Sequence, residues 1–414
     1  MKAVVFTLGC KVNECESDSL IAGLAKMGYE VCDKLVKADL YIVNTCAVTS
    51  EAEKKSRQTA SRIKKLNKNA KIIFTGCATQ KNPQSFLEKS GAFVITGTFN
   101  KNKILDLINE QGVFVCPETT EYEEMPVVKP QRKRTYIKVQ DGCNNFCSYC
   151  IIPYLRGRSR SRNPQSVLEE IKATRPIEAI INGINLTSYN YNGTDLTGLI
   201  KTLKEVSARI RLGSLETTVI TEEFLTSLKE LKNFAPHFHL SLQSGSNAVL
   251  KKMNRKYTRE EFIEKVELIR KHYPNAGITT DIIVGFPTET EQDFLDTLDL
   301  AKRVGFSDIH AFPFSPRSGT VAYKLKDLSG DVKKARLEKL LELKKELKNN
   351  FVSKNKGSVL TFIPEEEKGG FLVGYTENYI RAYLKSSQDI VEDVLKVKIA
   401  CAYQDGAIVE LVKD

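Results

Sequence analysis

Two periodicities alternate along most of this 414-residue chain. Short runs of β-branched and aromatic residues, often ended by glycine or cysteine, are followed by stretches with apolar residues every three to four positions. These are the marks of strand and amphipathic helix. Over residues 1–116, KAVVFTLGC, DLYIVNTC, KIIFTGC and FVITG predict strands. Helices are predicted from Glu16 to Met27, from Ser50 to about Leu66, near Ser85 and around Ile104–Asn109. Such alternation implies a doubly wound parallel sheet. Residues 117–135 hold three prolines, four acidic groups and then four basic ones without apolar periodicity, and read as a linker.

From Tyr136 the alternation resumes for six rounds. The strands are YIKVQ, EAIING, IRLGSLE, FHLSLQ, ITTDIIVG and DIHAFPF, with helices near 164–174, 195–208, 221–233, 258–272, 289–304 and 331–350. Thr288 and Glu291 have capping-box spacing. Six βα units over 136–350 predict a partial (β/α) barrel, with an ordinary doubly wound sheet as the alternative; both place active groups at the carboxyl ends of strands. Leucines at helical spacing in 331–350 are assigned to core packing. Residues 351–414 switch to short strands, GSVLTFIP, GFLVGYT, YIRAYL, DVLKVKIA and AIVELV, and predict a small OB-type β-barrel. The fold class is α/β with this β-barrel appended.

Composition changes little in this picture: 41% hydrophobic and 27% charged residues are ordinary globular usage. No run approaches the ~18 apolar residues of a membrane span. The opening MKAVVFTLGCKVNE has no charged region leading to a cleavage site, so a cytoplasmic protein with no membrane association is expected. Charge adds more. The net +11 is concentrated in residues 1–116 (17 basic, 11 acidic) and 136–350 (33 basic, 26 acidic), whereas 351–414 carries 8 and 10. A nucleic acid should therefore touch mainly the first two regions.

Ten cysteines in such a chain point to metal or redox chemistry. GCNNFCSYC places Cys143, Cys147 and Cys150 in a C-x3-C-x2-C array after the first barrel strand. Three close thiolates suit an iron–sulfur cube with one iron left open to a chelator. Zinc is the plainer reading, but no paired C-x2-C units or nearby histidines support it. The array, with Tyr149 before its last cysteine and a (β/α) barrel behind it, resembles the radical S-adenosylmethionine enzymes. That resemblance implies an S-adenosylmethionine chelated at the open iron and cleaved by one electron to a 5′-deoxyadenosyl radical.

Cys10, Cys46 and Cys77 each end a predicted parallel strand (TLGC, VNTC, FTGC). Parallel strands share one carboxyl edge, so the three thiols should meet, each beside a helix start that can depress its pKa. Three buried structural thiols are the alternative. Two three-cysteine sites in this order, followed by a small β-barrel, resemble the radical S-adenosylmethionine methylthiotransferases over essentially the whole chain. The resemblance implies two [4Fe–4S] clusters, S-adenosylmethionine as methyl donor and radical source, and a C-terminal TRAM domain. It carries cofactor contacts onto Tyr149, Gly183, Asn185, Ser214, Glu216, Gln243, Ser244, Arg255, Asp281 and Arg317. The opening GCKVN with ECES, and GYTENYIRA at 374–382, resemble the branch acting on threonylcarbamoyladenosine 3′ of the anticodon in transfer RNA. An electron donor such as flavodoxin or ferredoxin and a sulfur donor are then implied partners.

Arg156, Arg158, Arg160 and Arg162 occupy alternate positions and, if extended, share a face suited to RNA phosphates; a solvated strand edge is the alternative. Tyr379, Arg381 and Tyr383 alternate with Ile380, Ala382 and Leu384, the first set suited to stacking on bases and the second to a core. Cys15 is assigned no role, and Cys32, Cys116 and Cys401 are read as buried structural thiols. Competing readings are the same chemistry on isopentenyladenosine or on a ribosomal-protein side chain, and a non-catalytic iron–sulfur RNA-binding redox sensor.

Overall fold

The computed structural model describes residues 1–127, 132–386 and 392–412; positions 128–131 of the predicted linker lie outside the described residues. In chain order the first region comprises β1 (Lys2–Thr7), α1 (Lys11–Lys26), β2 (Glu30–Cys32), β3 (Leu40–Thr45), α2 (Ser50–Leu66), β4 (Lys71–Gly76), α3 (Cys77–Lys81), α4 (Pro83–Ser90), β5 (Val94–Thr96) and β6 (Gly112–Phe114). Its six strands are all parallel, in the order β2-β1-β3-β4-β5-β6. The near-continuous apolar runs of β3 and β4 follow from burial on both faces. The three-residue strands β2 and β6 were not foreseen, being too short to show a period, and the helix expected at 104–109 is a 3₁₀ segment, Lys101–Leu107.

The second region comprises β7 (Arg134–Asp141), α5 (Ile152–Arg156), β8 (Arg160–Ser161), α6 (Pro164–Thr174), β9 (Glu178–Gly183), a hairpin of β10 (Asn190–Tyr191) and β11 (Thr194–Asp195), and α7 (Leu196–Thr202). It continues with β12 (Arg209–Leu212), β13 (Ser214–Leu215), α8 (Glu222–Lys229), β14 (His237–Leu240), α9 (Asn247–Lys252), α10 (Arg259–His272), β15 (Gly277–Val284), α11 (Glu291–Val304) and β16 (Asp308–Pro313). The predicted strand IRLGSLE breaks at Gly213: β12 pairs with β9, β13 with β14, giving two four-stranded sheets, β12-β9-β7-β8 and β13-β14-β15-β16. All six predicted barrel strands are present. The capping box ahead of α11 is Thr290 with Asp293, two residues later than predicted, because Thr288 adopts a left-handed conformation (φ 81°).

Helix α12 (Gly330–Lys354) buries Leu340, Leu343 and Leu347 against the second region and carries Val352 into the core of the third. It therefore crosses the boundary expected at 350. There β17 (Val359–Lys368), β18 (Phe371–Thr376), β19 (Arg381–Lys385), β20 (Leu395–Tyr403) and β21 (Gly406–Leu411) close a barrel in the order β17-β18-β19-β21-β20. Ile380, Ala382 and Leu384 are in its core, as the alternation predicted. The linker ends before Arg134, which already belongs to β7, and the Tyr122 hydroxyl within it donates to the Lys138 carbonyl at 2.8 Å.

Buried ion pairs join the regions. Glu16 of α1 contacts Lys101, Lys138 (2.9 Å) and Arg156 (3.0 Å), and Asp141 contacts Lys138 (2.6 Å) and Arg156 (3.0 Å). Glu178 is enclosed by Arg134, Arg209 and Arg211, and Arg134 also reaches Glu365 of β17. Buried charges are tolerated because each is paired and hydrogen-bonded. Among the described residues no helix is long and apolar enough to cross a membrane.

Candidate active site

Neighbouring strands β1, β3 and β4 deliver Cys10, Cys46 and Cys77 to one sheet edge, as the strand-end pattern predicted. Cys10 caps α1 and is exposed; Cys46 and Cys77, the latter opening α3, are buried. Two glycines make the approach possible. Gly9 (φ 114°) and Gly76 (φ 103°) are left-handed, and a Cβ on them would lie 2.9 Å from Cys46 Cβ and 2.5 Å from the Thr45 carbonyl oxygen. Asn13 ties the edge together by donating to the Leu8 and Thr45 carbonyls (2.8 and 3.1 Å). At the two buried thiols the expected lowering is reversed. Burial pushes Cys46 up to about 12 and raises Cys77, although Arg156 and Lys101 pull the latter back.

The second set rides on one loop. Gly142 (φ 70°) turns the chain out of β7, and the Cys143 amide donates to the Gly157 carbonyl (3.0 Å). Asn254 donates to the Asn145 and Phe146 carbonyls (both 3.1 Å), fixing the loop against the turn before Arg255. Donors then converge on sulfur: Arg255 Nη1 on Cys147 (3.4 Å) and Asn185 Nδ2 on Cys143 (3.7 Å). Arg255 also pairs with Glu216 (2.9 Å), which accepts from Asn145 as well (2.7 Å). Burial raises Cys143, and it raises Cys150 to about 12.

One cavity of about 620 Å³ connects the two sets. Cys10 lines it from the first region, and Cys143, Cys147 and Cys150 from the second. Eight of the ten cofactor positions carried over from the resemblance share its wall: Tyr149, Gly183, Asn185, Ser214, Glu216, Gln243, Arg255 and Asp281. Gln243 adopts a left-handed φ of 68° there. Ser244 and Arg317 do not line it. The Ser244 side chain is buried against Thr297, behind the strand ends, and Arg317 is buried in an ion pair with Glu53 of α2.

Sequence reasoning missed three ionisable groups of the cavity, Lys11, His239 and His310. No histidine is near the cysteine loop in sequence, yet β14 and β16 bring two into its cavity. His239 and His310 each contact Asp281 at 3.2 Å; despite burial, they hold its carboxyl well below the usual range. Thr279 fixes His239 from behind, 2.9 Å from Nδ1. The signal available in the sequence was alternation along FHLSLQ and DIHAFPF, which puts His239 and His310 on strand faces but cannot say they meet.

The arginine face is corrected. Arg156 ends α5 and is buried against Asp141 and Glu16; Arg160 is buried on the Arg156 and Arg158 carbonyls; Arg162 is buried with Glu124 and Glu170. Only Arg158 is exposed, its guanidinium 4.5 Å from the centre of the Phe146 ring. The extended-strand assumption failed because a helix turn intervenes and nearby carboxylates capture the cations. In the C-terminal barrel, Tyr379 and Arg381 line a cavity of about 460 Å³ with Tyr375, whereas Tyr383 is buried with its hydroxyl on Asp405. Cys401 is exposed rather than buried, and Cys32 and Cys116 are half-buried.

Comparison with known proteins agrees with this architecture. Residues 137–301 match the Radical SAM superfamily, and residues 2–97 match the Uncharacterized protein family UPF0004. The chain is 37% identical over 441 residues to the threonylcarbamoyladenosine tRNA methylthiotransferase MtaB of Bacillus subtilis (strain 168), covering 100% of this chain and 98% of that one. It is 34% identical over 435 residues to the tRNA-2-methylthio-N(6)-dimethylallyladenosine synthase of Thermoanaerobacter sp. (strain X514), covering 98% and 92%. A structure of the radical S-adenosylmethionine methyltransferase TsrM from Kitasatospora setae superposes with a TM-score of 0.55 at 15% identity, covering 75% of this chain and 74% of that one, a likeness of fold. The chain belongs to the radical S-adenosylmethionine methylthiotransferase family.

Proposed function

We propose that this enzyme converts N6-threonylcarbamoyladenosine, 3′ of the anticodon in transfer RNA, to its 2-methylthio derivative. The observation carrying this reading is the single cavity in which Cys10 faces Cys143, Cys147 and Cys150. Adenine C2–H is neither acidic nor electrophilic, so replacing it by sulfur calls for a radical generator and a sulfur carrier within reach of one carbon. The donor sets fit two iron–sulfur clusters: three free thiols at each site, with guanidinium and amide donors aimed at sulfur. Burial raises the pKa values of Cys46, Cys77, Cys143 and Cys150, and iron binding would displace their protons.

Cys143, Cys147 and Cys150 would hold the first cluster, and Cys10, Cys46 and Cys77 the second. The first would supply the electron for reductive cleavage of S-adenosylmethionine, and the second would supply the sulfur for transfer. The chain's own groups orient the reactants. Asn185 and Arg255 stabilise negative charge on Cys143 and Cys147. Glu216, held by Arg255 and Asn145, and Asp281, held by two histidines, present carboxylates to the cationic cofactor. Tyr149, Gly183, Ser214 and Gln243 complete its wall. Arg158, Tyr379 and Arg381 remain as RNA contacts. A flavodoxin- or ferredoxin-type electron donor, a sulfur donor and a cytoplasmic setting complete the proposal.

The test is anaerobic incubation of reconstituted protein with S-adenosylmethionine, reductant, sulfide and transfer RNA bearing threonylcarbamoyladenosine. The nucleosides are then analysed by mass spectrometry. A nucleoside gaining one methylthio group in place of a hydrogen supports the reading. Deoxyadenosine formation with unchanged threonylcarbamoyladenosine overturns the substrate.

A further inference from the structure

We propose that Lys11 reads the acidic side chain of the substrate, its ammonium binding the threonyl carboxylate once the base has entered the cavity. The inference rests on the substrate reading above and adds the residue that selects for it. Threonylcarbamoyl is an anionic substituent on N6. Its attachment carbon and C2 both flank N1 of the adenine ring, so a base with C2 at the reacting position has that carboxylate inside the same cavity. The cavity must therefore accommodate a negative charge.

Its existing charges leave one candidate. Glu216 and Asp281 are acidic and would repel the carboxylate. Arg255 is committed to Glu216 and the Cys147 sulfur, and His239 and His310 to Asp281. Lys11 is the one remaining cationic side chain of the lining, and no carboxylate lies within ion-pair distance of it among the described residues. It follows Cys10 directly, at the first position of α1. Lys11 is exposed, and its anchor is thus beside the thiol set from which sulfur would reach C2, with a four-carbon arm free to reach a neighbouring N6 substituent. An ammonium pairs well with a single carboxylate at a partly dehydrated site.

The experiment is a double-mutant cycle between protein and RNA, using enzyme with both clusters reconstituted and non-hydrolysing conditions without reductant. Anticodon stem–loop RNAs would carry threonylcarbamoyladenosine either as the free acid or as its neutral methyl ester, and affinities would be read by fluorescence anisotropy. Wild type is expected to bind the acid about tenfold more tightly than the ester, whereas Lys11→Gln binds both alike and Lys11→Arg recovers most of the preference. Iron content and the S-adenosylmethionine KM should be unchanged in Lys11→Gln. An acid preference that persists in Lys11→Gln overturns the inference. So does a uniform loss on both RNAs with loss of iron, which would assign Lys11 to the cluster instead. Failure of wild type to modify the acid RNA overturns the substrate reading and this inference together, whereas an active wild type with a Lys11→Gln variant that keeps the acid preference overturns the inference alone.

Discussion

The two cysteine sites reach one cavity by opposite routes. Cys143, Cys147 and Cys150 lie within eight residues on one loop, and the fold's task is only to pin that loop through Asn254 and Gly142. Cys10, Cys46 and Cys77 come from three strands, and the site exists only if β1, β3 and β4 are neighbours in correct register. Their surroundings differ too. The loop site has Asn185 and Arg255 aimed at sulfur, whereas the strand-end site relies on Arg156, which acts on Cys77 from within a buried network of four cations and two carboxylates. A local site tolerates change elsewhere in the fold; a site assembled from distant strands inherits every fault of its sheet.

If the sites divide the labour, removing one thiol from each should break different halves of the reaction. Cys147→Ala is expected to abolish deoxyadenosine formation and, with it, all product. Cys46→Ala is expected to leave cleavage of S-adenosylmethionine largely intact while sulfur transfer disappears. Both products can be quantified from one anaerobic reaction by mass spectrometry. Equal loss of both activities in a folded Cys46→Ala protein would remove the distinction.

The same contrast explains what was legible in the sequence. The loop motif declares itself by spacing, and the strand-end cysteines by register, because each follows an apolar run whose neighbours must be parallel. All six barrel strands were readable because β-branched runs ending at polar residues recur with the period of a βα unit. Polar residues whose partners are distant in sequence were not readable. Arg156, Arg160 and Arg162 look like an exposed basic stripe until Glu16, Asp141, Glu124 and Glu170 fold against them. His239, His310 and Asp281 sit on three separate strands, and no local pattern announces their meeting. The position of Arg317 away from the cavity wall was unreadable for the same reason, its partner Glu53 being 264 positions away.

Glycine substitutions sharpen the comparison at lower cost. Gly76→Ala would put a side chain at φ 103° and 2.5 Å from the Thr45 carbonyl oxygen; Gly142→Ala would meet the Arg158 carbonyl oxygen at 1.9 Å. Left-handed strain of ~1–2 kcal/mol is thus joined by an overlap with backbone that cannot move away cheaply. Each variant should lose iron from its own site and keep the other, so total iron falls by about half in both. Their electron paramagnetic resonance spectra should then differ in which reduced-cluster signal survives. Loss of both signals from Gly142→Ala would mean that the loop site also supports the sheet.

Glu16 tests how far the strand-end site depends on its buried network. Burial alone would raise its pKa, but Arg156, Lys101 and Lys138 outweigh that and hold it well below the ordinary glutamate range. A depressed folded pKa contributes stability that is present above the unfolded value and lost as pH falls through the folded one. Glu16→Gln removes one anion and leaves Arg156, Arg160, Lys101 and Lys138 with Asp141 as the network's one carboxylate, a loss of about 3 kcal/mol at neutral pH. The gap between wild type and variant, measured by urea unfolding, should shrink as pH drops below the ordinary glutamate range. A gap that stays constant to the lowest accessible pH would show that Glu16 contributes nothing through its charge.

Arg158 carries the smallest effect and bears on the loop site's outer face. It is the exposed member of the four arginines, stacked on Phe146 of the cysteine loop, so a phosphate bound there would sit directly over the radical site. One phosphate contact contributes about one unit to the slope of log affinity against log salt, and little to specificity. Arg158→Ala should therefore weaken transfer-RNA binding a few-fold at physiological salt, reduce that slope by about 0.9, and leave deoxyadenosine formation in the absence of RNA unchanged. Arg162→Ala, which removes a buried cation, should instead lower thermal stability without altering the salt slope. If the two variants exchange these signatures, the buried and exposed assignments along this segment are reversed, and the RNA path crosses the strand edge at β8 rather than the cysteine loop.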